Sequence, residues 1–152
     1  MTARVHLELS GPMDCLRIAW QTGEALLDAI EFPEDPQGTR YNTLLAVQEM
    51  ITNVLRHAHA LDHNKVVRIE YQMNGEKFTV TIMDQGPEFD PRVHEPTVHD
   101  PDEMPTHPSG FGIMIATMVM NEIEYERRDG WNVLRMTKLV HEPVSLSPKP
   151  RA

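Results

Sequence analysis

Between Val67 and Ile82, apolar and polar residues alternate on both sides of a single Asn74-Gly75 dipeptide. Val67, Ile69, Tyr71 and Met73 share one parity and Arg68, Glu70 and Gln72 the other, and Phe78, Val80 and Ile82 resume the pattern after the turn. A period of two puts successive side chains on opposite faces of a strand, and Asn-Gly is a strong hairpin signal. This stretch therefore predicts an antiparallel hairpin with one buried face. The same reasoning predicts a second hairpin. Ile123 and Tyr125 alternate with Glu124 and Glu126, Arg128-Asp129-Gly130 turns the chain, and Trp131 to Leu139 forms the last strand. Val5, Leu7 and Leu9, alternating with Arg4, His6 and Glu8, predict an opening strand.

A half-buried sheet needs a cover, and the rest of the chain supplies helices. After the break at Ser10-Gly11-Pro12, Leu16, Ala19, Trp20, Gly23, Leu26, Leu27 and Ile30 recur at helical spacing. Phe32 to Gly38 holds two prolines and a glycine and reads as the turn into a long helix, predicted over Thr39 to Ala60. Its apolar stripe is Leu44, Val47, Ile51, Val54, Leu55 and Ala58. Ser109-Gly110-Phe111-Gly112 opens a further, strongly apolar helix from Ile113 to about Asn121. Gln85 to Ser109 carries six of the twelve prolines, which remove backbone donors, so it predicts a loop of lid or binding type. From Pro143 the chain is rich in Ser, Pro and Lys and reads as a disordered tail. The element order predicts an α+β two-layer sandwich with helices on one face of a mostly antiparallel mixed sheet. One domain is expected over residues 1–142, with residues 143–152 as tail.

Composition narrows the partners. A net charge of −9 argues against a nucleic-acid backbone or an anionic membrane as the main partner. The longest apolar stretch, Ile113 to Met120, is too short to span a bilayer, and residues 1–10 lack the apolar run of a signal peptide. A cytoplasmic domain is the expectation. A single cysteine, Cys15, rules out a disulfide within the chain and sits on an apolar helix face, as a core residue would.

Three polar features carry candidate chemistry. Glu49, Asn53 and His57 lie four residues apart on the long helix, which stacks them in one ridge with Arg56 beside it. Asp84 ends a buried strand and is followed by Gly86, a place from which a carboxylate accepts a hydrogen bond from a ligand amine. Gly110 and Gly112 open a helix, where free N–H groups favour phosphate. Each alone has an ordinary explanation: a solvated helix face, a turn-initiating Asp, a plain helix start. A zinc site among His57, His59, His63, His94, His99 and His107 is the rival, although no Cys joins them and no compact ligand box forms.

Taken in order, these motifs resemble those of the histidine-kinase-like ATPase superfamily, the Bergerat fold. Glu49-x-x-x-Asn53-x-x-x-His57-Ala58 resembles its first motif, Asp84-Gln85-Gly86 its second, and Gly110-Phe111-Gly112-Ile113 its third. The resemblance runs from the first strand to about Lys138. It is greatest to the small stand-alone anti-sigma factors that are serine/threonine kinases, which share a Leu-Arg in the first helix (Leu16-Arg17 here). It implies ATP and Mg²⁺ as cofactors, a sigma factor and an anti-sigma antagonist protein as partners, and a homodimer. It also implies that Asn53 ligates Mg²⁺ and that Glu49 is the general base. Asp84 and Gly86 would hold adenine, Gly110, Phe111, Gly112 and Ile113 would wrap the phosphates, Arg56 would add a positive charge at the rim, and His57 would belong to the ATP-binding set as a structural histidine rather than a catalyst.

Two departures stand out. Kinase members often place an Arg just before the Ser-Gly of the third motif, where this chain has Pro108. Many relatives carry a Thr near adenine in the last strand, where Gly130 is here followed by Trp131-Asn132-Val133, so that contact does not carry over. A nucleotide-gated binding module without phosphoryl transfer is the alternative function. The detached catalytic domain of a histidine kinase, or a gyrase-type hydrolase, ranks lower because no helical hairpin or transducer domain accompanies the motifs.

Overall fold

The computed structural model describes residues 1–58, 64–93 and 109–141. Its element order is β1 (Ala3–Ser10), α1 (Pro12–Asp28), α2 (Pro36–Asn53), β2 (Val66–Met73), β3 (Lys77–Asp84), α3 (Ser109–Val119), β4 (Glu122–Arg128) and β5 (Trp131–Leu139). A π turn, Val54–Ala58, continues α2, and a short 3-10 turn covers Pro91–Val93. The strands form one sheet in the order β1-β2-β3-β5-β4. Each neighbouring pair is antiparallel, and no parallel pair occurs among the described residues. With the helices on one face, this is the expected α+β two-layer sandwich.

Parity along the strands sorts the faces as the alternation predicts. Val67, Ile69, Tyr71 and Met73 of β2 and Phe78, Val80 and Ile82 of β3 are buried in one core with Leu27, Val47 and Ile51 from the helices. The opposite face is polar. His6 and Arg4 of β1 approach Glu70, and Glu8 pairs with Arg68, whose guanidinium lies 4.4 Å over the Trp131 ring. The turns differ in kind. At Asp129-Gly130 both residues take positive φ, 51° and 81°, as a tight two-residue hairpin requires. At Asn74 the side-chain oxygen accepts from Glu76 N–H (2.8 Å) and Lys77 N–H (3.0 Å), so the turn is held by the asparagine rather than by a left-handed glycine.

Helix boundaries follow local chemistry. Gly11 takes φ 92°, and Pro12 then starts α1 at a position where a missing N–H costs nothing. The helix stops at Asp28, short of the expected Ile30, because Ala29 and Ile30 bond back three residues to the Leu26 and Leu27 carbonyls. Arg40 of α2 then donates to the Leu27 carbonyl (3.0 Å) and the Ile30 carbonyl (2.7 Å), closing the end of α1. α2 begins three residues before the expected Thr39. Pro36 supplies its first turn, and Asp35, at φ 40°, accepts from Gly38 N–H (3.3 Å) as its cap.

The end of α2 corrects a second expectation. An α-helix through Ala60 was predicted, but the α-helical part stops at Asn53 and gives way to the π turn. Glu49 and Asn53 of the expected ridge lie one turn apart on the α-helical part, and the side chain of His57, in the π turn, lies outside the described residues. α2 is not polar on one side. It packs on both α1 and α3, and Thr43, Ala46, Met50 and Asn53 are buried alongside the expected Leu44, Val47 and Ile51.

Candidate functional site

The inward row of β3 reads Phe78, Val80, Ile82, Asp84, so the same parity that builds the core ends in a carboxylate. The ladders place Asp84 opposite Asn132 of β5, and Asn132 opposite Arg127 of β4. Three polar side chains thus lie side by side across three strands. Asp84 is only 3% exposed and Asn132 only 4%, so each needs partners. Asp84 Oδ1 accepts from Gly86 N–H (2.8 Å) and from Asn132 Nδ2 (3.0 Å). The Asn132 amide nitrogen also donates to the carbonyls of Pro87 (2.9 Å) and Gly86 (3.3 Å). Its amide oxygen accepts from the Tyr125 hydroxyl and from Phe89 N–H (3.4 Å), and Tyr125 Oη accepts from the same Phe89 N–H (3.3 Å). Arg127 closes the row by donating to the Gly86 carbonyl (2.6 Å). Burial raises the Tyr125 phenol above its ordinary pKa, which keeps the hydroxyl protonated and donating.

A second polar feature forms where α2 meets α3. Gly112, in the first turn of α3, lies so close to Glu49 that a Cβ there would stand 2.9 Å from Glu49 Oε2 and 3.0 Å from Glu49 Cβ. Only a residue without a side chain lets the two helices approach this closely. The first-turn N–H groups of α3 have no acceptor within the helix, and a half-buried carboxylate lies beside that turn. Asn53, one turn beyond Glu49, is 4% exposed, and its amide nitrogen makes a long contact (3.9 Å) to Met50 Sδ.

The remaining expected residues fall as follows. Gly86 is buried beside Asp84, and Ile113 is half-buried against the core. Arg56 is exposed on the π turn, and His57 belongs to the same turn, its side chain outside the described residues. Gly110 and Phe111 are helical in the first turn of α3 rather than ahead of it. Among the zinc-rival histidines, His59, His63, His94, His99 and His107 lie outside the described residues, as do Pro108 and most of the proline-rich loop. Among the described residues no group of three or more His, Cys, Asp or Glu is placed to hold a metal. No described helix is long and apolar enough to cross a membrane. A cavity of about 350 Å³ lies apart from these residues, between α1 and α2, with Trp20, Glu24, Asp28 and Tyr41 in its wall.

Asn132, Tyr125 and Arg127 are the residues the sequence reading missed. Asn132 was set aside because it is not the threonine of the relatives, yet it carries a direct contact to Asp84. A signal was there: Asn132 shares parity with Leu134 and Met136, so it had to face inward, where an amide needs partners.

Comparisons with known proteins agree with this architecture. The histidine kinase-like ATPase domain family matches residues 16–138. The serine/threonine-protein kinase BtrW of Bordetella bronchiseptica is 27% identical over 100 residues, covering 64% of this chain and 69% of that protein. The anti-sigma F factor of Clostridium perfringens is 27% identical over 96 residues, covering 62% and 69%. The serine-protein kinase RsbW of Listeria innocua is 26% identical over 102 residues, covering 64% of each. Among solved structures, the RsbU and RsbW domains of a Mycobacterium tuberculosis protein superpose with a TM-score of 0.62 at 13% identity, a likeness of fold alone. The match covers 96% of this chain and 35% of that one. With a family match running from the first helix through nearly all of the last strand, over the Asp84 row and the Glu49–Gly112 contact alike, this chain belongs to the histidine kinase-like ATPase domain family.

Proposed function

We propose that the chain is a cytoplasmic anti-sigma factor and an ATP- and Mg²⁺-dependent serine/threonine protein kinase, acting on a serine of an anti-sigma antagonist protein. The observation that carries this reading is the contact of Gly112 with Glu49. It sets a carboxylate against a helix start whose free N–H groups suit phosphate, so a base and a phosphate cradle share one locality. The names of the relatives, a serine/threonine kinase, an anti-sigma factor and a serine-protein kinase, support the same assignment.

In this reading Asp84 accepts the adenine amino group, and Gly86 lets the base lie against the backbone. The first turn of α3, with Gly110, Phe111, Gly112 and Ile113, holds the phosphates, with Arg56 at the rim and His57 as a structural histidine. The donor set fits the metal, since Asn53 offers a neutral oxygen ligand and Mg²⁺ takes its other ligands from phosphate and water. Bound there, Mg²⁺ would neutralise charge on the transferring phosphoryl group. Glu49 takes the proton from the substrate serine as its Oγ bonds to the γ-phosphorus. The bond from that phosphorus to its bridging oxygen breaks, leaving phosphoserine and ADP.

Pro108, where kinase relatives often have Arg, favours a second reading in which nucleotide fixes a partner-binding surface without being turned over. Glu49→Gln separates the two. With Mg-[γ-³²P]ATP and the antagonist, the wild type should label the antagonist, and the variant should lose labelling at least a hundredfold while still binding ATP. A wild type that binds ATP and its partners but transfers no label would leave only the second reading.

A further inference from the structure

We propose that Asn132, oriented by Tyr125, is a positioning residue that gives the Asp84 site its selectivity for a base bearing an exocyclic amino group. The inference deepens the ATP-site reading above and rests on it.

The argument is one of hydrogen-bond capacity. A carboxylate has two oxygens, and both contacts to Asp84 fall on Oδ1, from Gly86 N–H at 2.8 Å and Asn132 Nδ2 at 3.0 Å. Among the described residues, Oδ2 is thereby left to accept from something else, on a side chain only 3% exposed. A base with a 6-amino group donates to it; a base with a 6-oxo group presents an acceptor and is repelled. A site that needs a donor from its ligand discriminates strongly against the analogue lacking it. That discrimination requires the carboxylate to stay in one rotation, and Asn132 holds it there.

Asn132 is itself held in one orientation. Its nitrogen faces three acceptors, Asp84 Oδ1 and the carbonyls of Gly86 and Pro87. A flipped amide would set an oxygen against all three. Its oxygen faces two donors, the Tyr125 hydroxyl and Phe89 N–H. One amide thus ties Asp84 to the backbone of residues 86–89, a task a single hydroxyl in its place has too few donors to perform. Arg127 adds a further hold on Gly86 from β4. The β4–β5 hairpin therefore sets both the carboxylate and the backbone beside it.

The test is calorimetric titration of the full chain with Mg-ATP and with Mg-ITP, which replaces the 6-amino group by an oxo group. The wild type should prefer ATP. Asn132→Ala should reduce the ATP/ITP preference at least tenfold, Tyr125→Phe should shift it the same way by a smaller factor, and Asn132→Thr should fall between. Asp84→Asn combined with Asn132→Ala should discriminate no worse than Asp84→Asn alone. Folded Asn132→Thr and Tyr125→Phe proteins with an unchanged ATP/ITP ratio would overturn the proposal and leave the ATP site standing. A wild type that binds neither nucleotide, or an Asp84→Asn variant with wild-type affinity and selectivity, would overturn the ATP-site reading and this proposal with it.

Discussion

Cys15 is fully buried on α1, and desolvation pushes its thiol up from 9.0 to about 11. Unfolding returns it to water, so between those values the unfolded chain releases a proton that the folded chain keeps. Its contribution to stability is intact below pH 9 and is lost as pH climbs towards 11, by up to about 1.4 kcal/mol per pH unit. Tyr71, buried with its hydroxyl donating to the Ala19 carbonyl (2.8 Å), is also raised from 10.0 by burial and adds a loss of the same sign above that pH. The cleanest window for Cys15 is therefore pH 9 to 10. Urea midpoints of the wild type should fall across it, and those of Cys15→Ala should fall less. Equal slopes would refute the assignment. Below pH 8 the native thiol should resist alkylation until the chain unfolds.

At the scale of elements, the α2–α3 packing is set by what Gly112 lacks. A Cβ there meets Glu49 Oε2, the far end of a flexible chain, but also Glu49 Cβ at 3.0 Å, which cannot swing away. Gly112→Ala must therefore shift α3 against α2. Overpacking of this kind costs about 1–3 kcal/mol. Gly23→Ala is the contrasting control: its Cβ meets Leu44 Cδ1 at 2.9 Å, the end of a side chain that can turn, between α1 and α2 and away from Glu49. Gly112→Ala should melt several degrees lower and Gly23→Ala by less, and Gly112→Ala alone should also lose phosphoryl transfer at least tenfold beyond its loss of stability. Equal activity in the two would show that the Glu49 contact is packing and nothing more. The other end of α3 is closed by Lys138, 7% exposed, which donates to the Val119 carbonyl (3.1 Å) and whose pKa burial lowers. A cation at a helix C-terminus complements the helix dipole.

For the whole molecule, nucleotide binding and stability are linked. A ligand at a hundredfold over its Kd adds about 2.7 kcal/mol to the native state, and in a domain of this size each kcal/mol moves Tm by roughly 2–4 °C. Saturating Mg-ATP should raise the melting temperature visibly in scanning fluorimetry, and Asp84→Asn should erase the shift. No shift in the wild type at millimolar Mg-ATP would contradict the proposed function. The fold supports such coupling because Asp84 and Asn132 continue the inward rows that make the core, so the site and the core share strands β3 and β5.

Much of this was legible in the sequence, for a local reason. Strand parity says which side chains face inward, and it placed Val67, Ile69, Tyr71, Phe78, Val80 and Ile82 in the core and put Asp84 at the end of their row. Turn chemistry marked both hairpins, and Gly11-Pro12 marked the start of α1. Parity does not name a strand's neighbour. That β5 rather than β4 lies beside β3 was decided by packing, and it alone brings Asn132 onto Asp84. Helical spacing likewise cannot reveal that α2 is covered on two sides, which buries Asn53 just ahead of a π turn. Periodicity reports the environment of one element, whereas contacts between elements far apart in the chain exist only once the core has closed.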